Sequence, residues 1–214
     1  MPDLPPVPFS PDLSALAARG VQRRWRRGQS LIIEGSRDDT LFIIHEGRLR
    51  AYSAAANGRE ITFGVYGPGD YLGEMSLDGQ PRSANVEALD PAVCTQVTRR
   101  TLELFIAERP AFAFELLSKV IRRARAATVS ARTMALEDVY GRLRGLLESA
   151  AQPRTDGTRS VADRMSHQDM ANQLGCSREM VSRLLKDLER GGYIGRSGRV
   201  RPDWILLKAL PARW

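Results

Sequence analysis

SHQDMANQLGCSREMVSRLLKDLERGGYI, residues Ser166 to Ile194, is the stretch whose reading decides the fold. Ser166 stands before a short helical pattern, with Asp169 three positions on as a form of capping box and Met170 and Leu174 one turn apart. Gly175 interrupts that run. Ser177 is a second N-cap candidate, and behind it Val181, Leu184, Leu185 and Leu188 recur at the i, i+3, i+4, i+7 spacing of one buried stripe. The spacing predicts two helices joined by a glycine turn, a helix-turn-helix. Away from the stripe, Arg178, Glu179, Ser182, Arg183 and Lys186 fall at one- and four-residue steps and share a face. Its chemistry suits a DNA groove: arginine offers two donors to guanine O6 and N7, glutamate accepts from cytosine N4, and Ser177 and Lys186 can meet phosphates. A merely solvated amphipathic helix is the plainer alternative. The double cap, the glycine turn and the exposed Arg-Glu-x-x-x-Arg favour the DNA reader.

The rest of the composition bounds what surrounds this motif. At 214 residues the chain is long enough for two small domains. The excess of 32 basic over 25 acidic residues favours a polyanionic partner. That sign is discounted because only three of the 32 are lysines (Lys119, Lys186, Lys208), a bias that genome composition also produces. Cys94 and Cys176 lie far apart, so neither a disulfide framework nor a CxxC metal or iron-sulfur site is available, and no metal is expected. No apolar run approaches the roughly 20 residues of a membrane helix, and the start MPDLPPVPFSPDL has no signal-peptide pattern. A cytoplasmic protein without membrane contact is expected.

Working back from the motif, Gln152 to Ser160 reads as a polar loop, and Asp138 to Ala151 as an amphipathic helix through Val139, Leu143, Leu146 and Leu147. Before it, Ala111 to Met134 holds no glycine or proline, and Leu117, Ile121, Ala124, Thr128, Ala131 and Ala135 alternate four- and three-residue steps. This is a heptad seam. A parallel dimer seam is preferred to a helix buried in its own domain, because a helix-turn-helix reads a palindrome with two copies. Arg99 to Arg109 reads as a shorter helix. From Val21 to Thr98 the pattern is of short apolar or alternating runs, Leu31–Ile33, Leu41–Ile44, Arg48–Tyr52, Ile61–Tyr66, Asn85–Ala88 and Val93–Val97, punctuated by glycine and proline at β-sandwich or barrel spacing, with Asn57-Gly58 a hairpin candidate. Residues 1 to 11 hold five prolines and are expected to form an extended arm, ahead of a short helix from Asp12 to Ala18. Beyond the motif, Gly191-Gly192 suits a helix end. Tyr193 to Leu207 reads as a two-stranded wing around Arg196-Ser197-Gly198-Arg199, with Pro202 keeping part of it out of a ladder.

A second constellation lies in the β-rich half: Gly73-Glu74-Met75-Ser76, then Arg82-Ser83-Ala84. Arg82 can offer a charge-assisted fork to a phosphate, Ser83 and free backbone N–H groups add donors, and Glu74 can accept from a ribose 2′-hydroxyl. A surface salt bridge from Glu74 to Arg82 is the competing reading.

With both motifs in place the chain resembles the cyclic AMP receptor protein / FNR (CRP/FNR) family of bacterial transcription regulators, over roughly Ser14 to Leu207. The family's G-E-[LM]-[AS]…R-[ST]-A cassette is met by Gly73, Glu74, Met75, Ser76, Arg82, Ser83 and Ala84. Its G-C-S-R-E-x-V-x-R motif is met by Gly175, Cys176, Ser177, Arg178, Glu179, Val181 and Arg183. The resemblance implies an α+β chain: a cyclic-nucleotide-binding β-jelly-roll domain over 12–109, a long central dimerisation helix over 110–137, and a winged helix-turn-helix DNA-binding domain over 138–214. It implies a homodimer on double-stranded DNA, with Arg178, Glu179 and Arg183 on the base edges of a GTGA-like half-site and Ser177, Gln168, Ser182 and Lys186 nearby. It also implies contact with RNA polymerase through the 152–160 loop. The two base-contacting positions of the cyclic AMP receptor fall on Ala127 and Thr128, aligned through Asp138-Val139 and Gly141-Arg142. Thr128 keeps a hydroxyl and Ala127 has none, so adenine selectivity is not carried over. Cyclic AMP heads the candidate ligands, with cyclic GMP, cyclic di-GMP or no ligand as alternatives.

The expected function is a ligand-controlled transcription regulator. A nucleotide-binding module acting through protein contacts is the rival from another class. An enzyme is not expected, since the chain has no Walker loop, no HExxH and no nucleophile–base pair. Arg82→Ala is expected to remove nucleotide binding and leave the fold intact.

Overall fold

The computed structural model describes residues 9–161, 165–197 and 203–213. The proline-rich arm over 1–8, Gly198 and Arg199 at the wing and Pro202 lie outside the described residues. The remainder divides into two compact units, one of residues 9–55 and 62–127, the other of 56–61 and 128–213.

The first unit opens with α1 (Pro11–Ala17), capped by Ser10, whose side chain accepts from Leu13 N. Eight strands follow: β1 (Val21–Trp25), β2 (Ser30–Ile32), β3 (Leu41–Glu46), β4 (Leu49–Ala54), β5 (Glu60–Tyr66), β6 (Tyr71–Leu72), β7 (Asn85–Ala88) and β8 (Ala92–Val97). They form two antiparallel four-stranded sheets, ordered β1-β8-β3-β6 and β2-β7-β4-β5. This is the β-roll expected from the sequence. Alternation along β3 explains the layering. Phe42 and Ile44 point into the space between the sheets with Trp25, Ile32, Leu49, Val86 and Cys94. Leu41 and Ile43 point to the opposite face, where Leu13, Leu16, Val97, Leu102, Phe105 and Phe112 cover them. Apart from Val97, which ends β8, those covering residues come from α1, from α2 (Arg99–Glu108) and from the start of α3 (Ala111–Leu136). The run Leu-Phe-Ile-Ile is therefore apolar throughout because both its faces are buried.

Strand β1 was not among the sequence expectations, and the reason is visible: only Trp25 of its five residues is buried. Its identity comes from pairing with β8, Val21 opposite Gln96 through Trp25 opposite Ala92. Helix α3 runs 26 residues, of which only Phe112 is fully buried. Leu117 and Ile121 of the heptad seam are 54% and 50% exposed, and Ala124, Thr128, Ala131 and Ala135 are exposed as well.

The second unit holds α4 (Val139–Ala150), β9 (Ala151–Pro153), β10 (Arg159–Val161), α5 (His167–Leu174), α6 (Arg178–Arg190), β11 (Ile194–Ser197) and β12 (Asp203–Leu206). The stretch read as a polar loop, 152–160, is instead largely a hairpin: β9 pairs with β10, and the four strands run in the order β11-β12-β10-β9. Strands β9 and β10 are too short and polar to show alternation, and only Val161 of their residues is buried. Pro153 is accommodated because β9 is an edge strand. One core joins Tyr140, Leu143 and Leu147 of α4, Met170 and Leu174 of α5, Val181, Leu185 and Leu188 of α6, and Ile194, Trp204 and Leu206 of the sheet. The strands and the helix pair together make a winged helix-turn-helix.

Candidate functional site

The helix-turn-helix is built as its sequence dictates. Ser166 accepts from Asp169 N, and the Asp169 carboxylate accepts from Ser166 N at 2.7 Å, a complete capping box. Gly175 ends α5 in the left-handed conformation, and Ser177 caps α6 by accepting from Met180 N at 3.2 Å. With Val181, Leu184, Leu185 and Leu188 buried, Arg178, Glu179, Arg183 and Lys186 face water. Glu179 sits in the first turn of α6, and its own backbone N–H, then the Ser177 hydroxyl, hold its carboxyl below the usual range. A hollow lined by Ser166, His167, Gln168 and Arg178 opens at the start of α5. It offers N–H groups and a guanidinium of the kind phosphate oxygens use.

Ser182 departs from the sequence grouping. Its Oγ lies 2.8 Å from His167 Nδ1, and the residue is half-buried rather than part of the open face. Gln168 remains exposed and donates from Nε2 to Asn172 Oδ1 at 2.7 Å. In the wing, Arg196 packs over the Trp204 ring at 4.4 Å and pairs with Glu189 at 3.6 Å.

The cassette of the first unit is a tight turn. Gly73 has φ of 96°, and the segment Glu74–Asp78 that follows is a 3₁₀ turn. A Cβ on Gly73 would lie 2.5 Å from the Thr40 carbonyl oxygen and 2.7 Å from Arg82 Nη1, so only glycine fits. Arg82 is 3% exposed. It donates from Nη1 to Gly73 O at 3.0 Å and from Nη2 to Thr40 O at 2.7 Å, and Nη2 also pairs with Asp38 at 3.0 Å. Partial burial pushes the Asp38 carboxyl up, but the Thr40 hydroxyl and N–H and the Arg82 guanidinium outweigh it and hold it below the usual range. Arg82 Nε is buried and has no acceptor. Such an orphaned donor is uncommon, and it suits an oxyanion that approaches the edge of the guanidinium. Ser76 is buried with its hydroxyl on Gly73 O at 3.1 Å, so its side chain shapes the turn. Ser83 is exposed and donates to Met75 Sδ at 3.4 Å, while Met75 is 63% exposed and Ala84 half-buried.

The Glu74–Arg82 salt bridge weighed from the sequence is not formed. Glu74, its side chain 7% exposed, pairs through Oε1 with Arg123 Nη1 at 2.5 Å. Arg123 Nη2 donates to Tyr71 O at 2.5 Å, and its guanidinium lies 4.6 Å from the Tyr66 ring and 5.4 Å from the Tyr71 ring. Burial pushes the phenols of Tyr66 and Tyr71 up against the opposing pull of Arg123. One turn earlier on α3, Lys119 donates to Gly69 O at 2.7 Å and packs over Tyr71 at 4.6 Å. Sequence pattern sets Arg123 on a face of α3 away from the heptad seam and does not join it, Tyr66 or Tyr71 to the cassette. The available signal was the position of Arg123 on a helix that the β-roll has to cover. Ala127 and Thr128 are both exposed on α3. Among the described residues no cluster of histidine, cysteine or carboxylate side chains could hold a metal ion, and no helix is long and apolar enough to cross a membrane.

Comparison with known proteins meets both halves of this geometry. Residues 22–109 match the family described as cyclic nucleotide-binding domain, and residues 164–194 match the family described as bacterial regulatory proteins, crp family. A CRP-like cAMP-activated global transcriptional regulator of Mycobacterium tuberculosis is 30% identical over 193 residues, spanning 87% of this chain and 86% of that protein. The cAMP-activated global transcriptional regulator Vfr of Pseudomonas aeruginosa is 30% identical over 197 residues, 87% of this chain and 91% of that one. Among solved structures, the c-di-GMP responsive global regulator CLP of Xanthomonas campestris superposes with a TM-score of 0.80 at 20% identity, over 93% of this chain and 99% of that one. At that identity the likeness speaks for the fold alone. These relatives are transcription regulators, not enzymes.

Proposed function

Because this chain belongs to the CRP/FNR family of bacterial transcription regulators, we propose that it is a homodimeric regulator switched by a cyclic nucleotide and bound to a palindrome with GTGA-like half-sites. The proposed domains are nucleotide binding over 12–109, the dimerisation helix over 110–137 and DNA binding over 138–214.

The observation that carries this reading is the cassette: a buried arginine fixed by Gly73 O and Thr40 O, with Nε still lacking an acceptor, beside a buried carboxylate on the same turn. A ribose phosphate has the complementary chemistry, an anionic phosphate for Arg82 and a hydroxyl donor for Glu74, with Ser83 and Met75 at the exposed rim. Gly73, Ser76 and Ala84 shape the turn, and Thr128, beside Ala127, is the base contact proposed on α3. Cyclic AMP is the first choice of ligand because relatives at 30% identity are activated by it, with cyclic GMP and cyclic di-GMP as alternatives.

Two recognition helices set about 34 Å apart would enter successive major grooves, and the nucleotide favours that arrangement only by binding it better than others. The exposed stripe of Leu117, Ile121, Ala124 and Thr128 supports pairing of α3 with a second copy. The 152–160 hairpin is the proposed contact with RNA polymerase, and the proposed setting is the cytoplasm. Calorimetry of the purified protein with cyclic AMP, cyclic GMP and cyclic di-GMP, followed by promoter-fragment binding with and without the ligand found, tests the reading. Binding of one nucleotide with a matching gain in DNA affinity supports it. No response to any of the three overturns the ligand assignment, and no DNA affinity overturns the regulator.

A further inference from the structure

Arg123 does not reach Glu74 unaided. Its guanidinium is confined by the Tyr66 ring at 4.6 Å and the Tyr71 ring at 5.4 Å while Nη2 is tied to Tyr71 O. Tyr71 is fully buried and fixed by its own hydroxyl, which donates to Leu116 O at 3.2 Å. Tyr66 is held differently. It stands near the end of β5, half-buried, and a Cβ on Gly64 would lie 2.8 Å from its hydroxyl oxygen and 3.0 Å from the ring carbon bearing it. The ring thus lies back over Gly64, two residues earlier on the same face of the strand, in space that any side chain there would fill. A glycine within a strand weakens it and calls for a local reason, which here is the seat for this ring.

We infer that Tyr66, seated over Gly64, is the positioning residue for ribose recognition: it holds Arg123 on Oε1 of Glu74 and so presents Oε2 to a ribose 2′-hydroxyl. The ion pair with Arg123 is made through Oε1, with the Glu74 side chain 7% exposed. A guanidinium under an aromatic face, with one edge on a backbone carbonyl and another on a carboxylate, has few other orientations. Glu74 is thereby aimed in one direction, as a well-placed acceptor requires. The arrangement ties the hydroxyl of the sugar, rather than its base or phosphate, to a residue of α3.

The inference rests on the cyclic-nucleotide reading above, and its test separates the two. Wild-type protein, Tyr66→Leu, Tyr66→Phe and Gly64→Ala are titrated calorimetrically with cyclic AMP and with 2′-deoxy cyclic AMP, and melting curves establish that each variant folds. The wild type is expected to prefer the ribose form by roughly ten- to hundredfold, the range for a hydrogen bond to a charged group. Tyr66→Leu lowers that preference by about three- to tenfold, as loss of one cation–π contact would. Tyr66→Phe keeps it, since the ring face is retained. Gly64→Ala, which displaces the ring without removing it, reproduces the leucine result. An unchanged preference in Tyr66→Leu, or an equal fall in Tyr66→Phe, overturns the role assigned to Tyr66 and leaves the nucleotide site standing. Wild-type protein that binds neither nucleotide removes the site and the inference together.

Discussion

Arg82 and Gly73 are matched to each other: the Arg82 guanidinium donates to the Gly73 carbonyl at 3.0 Å and occupies the space that a side chain on residue 73 would take. The glycine is thus required twice, by its φ of 96° and by the arginine. Gly73→Ala is expected to destabilise the protein by about 2 kcal/mol or more, because strain in the left-handed region adds to the clash with Thr40 O. Denaturant unfolding measures it, and nucleotide binding should fall with it.

For Arg82→Ala the structure changes the expectation drawn from sequence. The side chain is buried on two carbonyls and Asp38, so its loss removes a ligand donor and also strands those partners. Loss of nucleotide binding should therefore come with about 2–4 kcal/mol of lost stability. Chemical denaturation beside calorimetry separates the two effects. An intact melting curve would show that the arginine serves the ligand alone.

The Asp38–Arg82 pair also makes a prediction about pH. Asp38 has a folded-state pKa below its ordinary value, so its contribution is present above the unfolded value and lost as pH falls through the lower, folded one. Asp38→Asn should be less stable than wild type near neutrality, and the gap should close as pH falls below about 4. Paired urea melts at pH 7 and pH 3 would show it. A gap that widens in acid would contradict the assignment.

On DNA the exposed residues of α6 should separate by role. Arg178→Ala and Arg183→Ala should each weaken binding to a GTGA half-site by about 1–3 kcal/mol and relax discrimination at one base position. Lys186→Ala should weaken all sequences evenly and reduce the salt slope by about one. Ser182→Ala should matter least to base choice, since its hydroxyl is engaged with His167. Fluorescence anisotropy over a range of salt concentrations and half-site variants distinguishes these outcomes.

Helix α3 provides a test of assembly that spares the fold. Ile121 is 50% exposed, so Ile121→Arg costs the single chain little. In a paired seam it buries a charge against its symmetry mate and should shift the protein to monomer by at least tenfold in dissociation constant. Sedimentation velocity over a dilution series reads this directly.

Much of this molecule is legible locally. The capping box at Ser166, the glycine turn at Gly175 and the buried stripe of α6 are each decided within a few residues, and the structure forms them as read. What local pattern misses is what distant pairing decides. Strand β1 is a strand because of β8, and the 152–160 segment is a hairpin because β9 and β10 close an edge of the second sheet. The cassette was found by motif, but its electrostatics were not: Glu74 answers to Arg123, forty-nine positions later, and Arg82 to Asp38, forty-four earlier. The Ser182 side chain follows the same rule, turning to a histidine on the neighbouring helix that periodicity within α6 does not encode.

The open stripe on α3 carries one more consequence. If a second copy covers it, folding and association share a single equilibrium, and the protein's own concentration becomes a stabilising ligand. Its melting temperature then rises as the sample is made more concentrated and falls on dilution, so that scarcity weakens the regulator before any nucleotide is withdrawn.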